Sequence, residues 1–176
     1  MTSSPVDPAC DVAHGAAAAP VAAGRVLVAV FASPVAEFLL RYGRDVGYRP
    51  VLVEPDPGRA SAVPGIAADH VVRSYRDGPA DVVVTNHHRP ELGPVLRDAL
   101  ATDARWIGVM GNPRHPAPHI PALAGLGVPP DAIGRVHRPI GLNIGSRTPA
   151  EIAIATVAGL LADRNGRPGG FFGQPR

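Results

Sequence analysis

The clearest chemical arrangement in the chain is 136-VHRPIGLNIGSRTPAEIAIA-155. Gly141 and Gly145 precede Thr148-Pro149-Ala150-Glu151, a capping box with proline at the first helical position: the Thr148 side chain accepts from the Glu151 N–H, and Glu151 reaches back. A helix start carries about half a positive charge. Glycines just before it let backbone N–H groups turn toward one point. The spacing predicts an anion cradle. The same glycines also suit a purely structural role, turning the chain into its last helix.

Two other polar clusters carry candidate residues, 85-TNHHRPE-91 and 111-GNPRH-115. His115 and His119 have a metal-like spacing, but Pro116 and Pro118 lie between them and oppose a regular helix presenting both. No metal site is assigned. No Gly-x-Ser-x-Gly elbow occurs, and no nucleophile–base–acid set is marked by local motifs, so no catalytic residue is assigned. All 17 basic residues are arginine, which excludes Schiff-base chemistry and a lysine-dependent phosphate loop. A dinucleotide fingerprint would place glycine where 31-FASPVA-36 has Phe31, Ser33 and Ala36. Alanine is acceptable at the third place, whereas Phe31 and Ser33 are expected to block the approach of a pyrophosphate. Glu54 lies where a ribose-binding acid belongs, but an acid without the glycine loop is weak support for NAD(P).

The elements that must position these clusters follow from apolar patterning. Near-continuous apolar runs predict buried strands at 25–32, 48–56, 69–74, 81–86 and 105–111. Helical spacing predicts helices at 34–47, 91–102, 117–127 and 149–166. Alternation of the two predicts an α/β fold: a Rossmann-like, doubly wound, mostly parallel sheet of about five to six strands. In such a sheet ligands sit outside the carboxyl ends of the strands, where the TNHH, GNPRH and PIGLNIG loops converge. Residues 1–24 are expected to be a disordered tail, 25–166 the domain, and 167–176 a second tail. A net charge of +2 is too small to argue for nucleic acid. No apolar run is long enough to suggest a membrane span. Cys10 is the only cysteine, which excludes an internal disulfide and points to the cytoplasm.

With these motifs in view, the chain resembles the carboxyl-terminal, Rossmann-like domain of the XdhC/CoxI family, accessory factors of molybdenum hydroxylases such as xanthine dehydrogenase and CO dehydrogenase. The strongest match is 136-VHRPIGLNIGSRTPAEIAIA-155; 106-WIGVMGNPR-114 and 82-VVVTNHHRPEL-92 support it. The chain differs from the family pattern at Asn86 (usually His), His87 (usually Asp) and Asn143 (usually Asp), while His88 and Glu91 keep the later histidine and acid. The resemblance implies a maturation factor rather than an enzyme. Such a factor binds molybdenum cofactor (molybdopterin, a pterin phosphate carrying molybdenum) and helps load it into an apo molybdenum hydroxylase. Its implied binding edge is formed by Asn86, His88, Gly111, Arg114, His137, Gly141, Asn143, Gly145, Arg147 and Thr148, with Arg138 a further source of charge. A homodimer is also implied. Two rival readings stand beside it: an NAD(P)-linked oxidoreductase on the same fold, and a non-enzymatic interaction module whose last helix offers Ala153, Ala155 and Ala158 for close packing.

Overall fold

Strand β1 (Val26–Val30) is buried at every position, because the sheet is covered on both faces. Val26, Val28 and Val30 join one core cluster, while Leu27 and Ala29 join the other, as the two-residue period of a strand requires. The computed structural model describes residues 12, 24–60, 71–72, 74–112 and 114–170. The expectations for Cys10, for most of 1–24 and for 171–176 lie outside these residues.

The elements run β1, α1 (Pro34–Asp45), β2 (Arg49–Val53), α2 (Pro57–Ala60), β3 (Val71–Val72), β4 (Ala80–Val84), α3 (Leu92–Leu100), β5 (Trp106–Val109), α4 (His119–Ala124), α5 (Pro130–Ile133), β6 (Val136–His137) and α6 (Pro149–Arg164). Every strand pairing is parallel, and the order across the sheet is β3-β2-β1-β4-β5-β6. This is a Rossmann-like α/β domain. Helices α1 and α6 pack on each other and on one face of the sheet through Leu39, Leu40, Ala153, Val157 and Leu160. Leu92 and Leu96 of α3, Leu123 of α4 and Ile133 of α5 cover the other face. Ala153 and Ala155 are therefore buried within the chain's own core, so they present no surface to a partner.

Three short elements, β6, α2 and α5, were not expected as separate units. Two residues of strand or four of helix contain no full period from which to read them. At the amino-terminal end of the sheet, Asp81 is buried and accepts from Tyr48 Oη at 2.8 Å and from Arg105 at 2.6 Å. Burial, and then the Asp81 bond, push the Tyr48 phenol up to about 12. This end of the sheet is locked by packing and hydrogen bonds, which leaves the opposite, carboxyl end for ligands.

Candidate functional site

The chain reverses its direction of winding between β1 and β4, which makes their carboxyl ends the switch point of the sheet. Thr85, directly after β4, stitches this point. Its N–H donates to the Val30 carbonyl at 3.0 Å. Its hydroxyl lies 2.9 Å from the Phe31 carbonyl oxygen and 2.9 Å from Ser33 Oγ. Ser33 caps α1 by accepting from Ala36 N at 3.1 Å.

Phe31 has φ +74°, the backbone conformation of the glycine it replaces. A side chain there costs roughly 1–2 kcal/mol. The ring does not stand in the crevice as a block, which corrects the expectation from sequence. It is fully buried in the core, with the Arg89 guanidinium 4.7 Å from its centroid. What closes this half of the crevice is a buried ion-pair network. Glu54 is 1% exposed; its carboxylate accepts from Ala32 N at 2.8 Å and Asp56 N at 3.0 Å. Arg89 donates to both Glu54 oxygens, at 3.0 and 3.3 Å, and to Glu91 at 2.9 and 3.1 Å. The guanidinium holds the Glu91 carboxyl below its ordinary range, and the Arg89 pKa is raised in return, first by its bond to Glu91. Both the ribose-acid position and the first N–H after the glycine place are thus occupied from within.

The other half of the edge is open. A cavity of about 940 Å³ lies between the loops after β4, β5 and β6 and the first turns of α6. Gly111, Arg114, Gly141, Asn143, Gly145 and Arg147, all named from sequence, line it. Asn86, His88, His137 and Thr148 do not. Asn86 Oδ1 instead accepts from His88 N at 3.0 Å, an Asx turn that brings His87 rather than His88 to the wall. His137 is stacked on Trp106, with ring centroids 5.1 Å apart and planes 6° from parallel. Thr148 caps α6, accepting from Glu151 N at 3.2 Å.

Sequence reasoning missed Thr85, His87, Met110 and Asn112 as lining groups. The available signal was the strand end itself, since residues directly after β4 and β5 must open onto the crevice. Among the described residues no Asp or Glu lines the cavity, and the Arg114 and Arg147 side chains make no ion pair. His87 has its pKa lowered from the ordinary 6.5, chiefly by burial and then by His88, so its imidazole is neutral at neutral pH.

The glycine loop has two distinct parts. Gly141 (φ +85°) lies against α6: a Cβ there would sit 3.2 Å from the Ala155 carbonyl carbon and from Thr156 N. Leu142 N donates to the Ala155 carbonyl at 3.0 Å, fastening the loop to the helix. Gly145 (φ +72°) has nothing within 4 Å of its would-be Cβ, so its backbone is open to the cavity. The helix start is capped from within: Glu151 N donates to Thr148 Oγ1 at 3.2 Å, and one Glu151 oxygen accepts from Arg147 N at 2.6 Å and from Thr148 N at 3.1 Å, just before the helix. Gly145, Ser146 and the Arg114 and Arg147 guanidinium groups stand on the cavity wall as donors for an outside anion, with Arg114 Nε also donating to Asn112 Oδ1 at 3.4 Å.

Arg138 donates to the carbonyls of Asn112 and His115, each at 3.2 Å, and packs over Gly111. It therefore shapes the loop after β5 and does not line the cavity. His119 opens α4 and is 4% exposed, whereas exposed His115 lies in the loop before it. No helix presents both. Among the described residues no group of three or more His, Cys, Asp and Glu is placed to hold a metal ion, and no helix is long and apolar enough to cross a membrane.

A family model described as the XdhC Rossmann domain matches residues 27–160. The uncharacterized protein YqeB of Escherichia coli K12 is 33% identical over 94 residues, which are 53% of this chain and 17% of that protein. The chain thus spans a small part of that relative's length. A crystal structure described as a xanthine dehydrogenase from Bacillus halodurans matches with a TM-score of 0.63 over 87% of this chain and 45% of that one. Its sequence is 24% identical, and the likeness is one of fold.

Proposed function

The chain belongs to the XdhC Rossmann-domain family, a xanthine dehydrogenase-associated family, and from that premise we propose that it binds molybdenum cofactor and assists its insertion into a xanthine dehydrogenase- or CO dehydrogenase-type hydroxylase. The observation that carries this reading is the composition of the cavity. About 940 Å³ of space is lined by Arg114 and Arg147, by the open Gly145 turn and, among the described residues, by no carboxylate. Such a surface favours an anion, and guanidinium groups are suited to phosphate oxygens.

The residues present fit the cofactor. Arg114, Arg147 and the N–H groups of Gly145 and Ser146 would hold its phosphate. Val35, Met110, Ile140 and Ile152 supply apolar wall for a flat ring. The cofactor brings the hydroxylation chemistry of the client; this chain's residues bind it, orient it and shield it from water. On this reading the chain acts in the cytoplasm on an apo molybdenum hydroxylase and is a carrier rather than an enzyme. A nicotinamide dinucleotide suits the molecule less well, because Glu54 is bonded to Arg89 instead of facing the crevice.

Titration of the purified protein with molybdenum cofactor tests the reading, with reduced nicotinamide cofactor run in parallel. Saturable binding of molybdenum cofactor is expected, weakened at least tenfold in an Arg114→Ala/Arg147→Ala double variant. That loss corresponds to about 1.4 kcal/mol, the lower range for hydrogen bonds to charged groups. Unchanged affinity in the double variant would remove this cavity from consideration, and saturable dinucleotide binding alone would replace the proposal with the oxidoreductase reading.

A further inference from the structure

Besides Arg114, Arg147 and the Gly145 turn, the cavity wall carries Thr85, His87 and Met110, which follow the ends of β4 and β5. The Thr85 hydroxyl is already committed to the Val30 and Phe31 carbonyls and to Ser33. Met110 is 8% exposed and brings no polar side-chain group. Of these three, His87 is therefore the side chain with polar capacity left for a ligand. It is half-buried, and its ring lies 4.1 Å from that of His88.

We propose that His87 is the contact for the ring of the ligand: an imidazole nitrogen accepts a hydrogen bond from an N–H of a flat heteroaromatic ring whose anionic group is held by Arg114 and Arg147. The inference rests on the anion-binding reading above and adds the residue that contacts the ring. Two observations carry it. His87 stands on the cavity wall, where the neighbouring Asn86 and His88 do not. It is also kept neutral by burial and by the positive groups around it, which are His88, His115 and Arg138; a neutral imidazole accepts where a protonated one only donates. A ring N–H therefore suits it, whereas a second anion does not.

The test uses the full chain and two probes, a pterin carrying a phosphate monoester, followed by its fluorescence, and inorganic phosphate as competitor. His87→Phe should weaken the pterin phosphate roughly tenfold, the usual scale for one lost buried hydrogen bond, while leaving competition by inorganic phosphate unchanged. His87→Gln, which keeps an acceptor, should retain affinity within about threefold, and His88→Gln should bind as the parent does. Below the lowered His87 pKa the parent should lose affinity relative to His87→Gln at the same pH, a comparison in which the ligand's own titration cancels. Parent-like binding of the pterin phosphate by His87→Phe, or parallel pH profiles of parent and His87→Gln, would overturn the assignment while leaving the anion site standing. Failure of the parent to bind either probe would overturn the anion site and this inference together.

Discussion

At the scale of single residues, two carboxylates illustrate how neighbours set behaviour. Glu54 and Arg89 form a buried pair in which each charge depends on the other. Removing one partner of such a pair leaves an uncompensated charge, at a cost of about 3–5 kcal/mol. Arg89→Met should lower unfolding stability by that amount in a urea titration, and adding Glu54→Gln should recover part of the loss by making the stranded group neutral. Glu151 is different because it is exposed. Bonds from the Arg147 N–H, and then the Thr148 N–H, hold its carboxyl below the ordinary 4.5. A depressed folded pKa means that its contribution is present above the unfolded value and is lost as pH falls through the folded one. Protection of the Arg147 and Thr148 amides, taken relative to their intrinsic exchange rates, should therefore fall as the solution is taken below about pH 4.5, and in Glu151→Ala that protection should be low at every pH. The capping box was legible because its four residues are consecutive. The Glu54–Arg89 pair was not, because 35 residues separate the partners and only the fold brings them together.

At the scale of elements, strands β1, β2, β4 and β5 and helices α1, α3 and α6 could be read directly, since each has enough residues to show a buried run or a helical face. The loop before α6 was only half legible. The sequence offered two glycines as equivalent donors of flexibility, but only packing separates them. Gly141 touches the backbone of α6, whereas a Cβ added at Gly145 would meet nothing within 4 Å. Gly145→Ala should cost roughly 1–2 kcal/mol, the price of a left-handed conformation for an ordinary residue. Gly141→Ala should cost more, because the added methyl must also displace the loop from Ala155 and Thr156. Thermal unfolding of the two variants side by side checks the order; equal losses would show that contact with α6 is unimportant.

At the scale of the molecule, convergence of three loops at the carboxyl edge followed from the strand alternation alone. The division of that edge did not. Strand order places the ends of β1 and β2 on one side of the switch point and those of β5 and β6 on the other; side chains then fill the first side and leave the second open. The choice between His87 and His88 was beyond the sequence for a related reason. Both sit in one polar run, and the Asx turn at Asn86 decides which reaches the wall.

The filled side also bears on how such a chain can change over generations. Building a dinucleotide site of the glycine-fingerprint type here would need glycine at Phe31 and release of Glu54 from Arg89. Glycine at Phe31 alone empties a space in the core, and loss of Arg89 alone strands a charge. These residues touch, so their effects are coupled. Each first step is harmful and neither confers binding. Drift by single substitutions is therefore barred from that route, and variation is channelled toward the open side, where loop residues can be exchanged one at a time without disturbing the core.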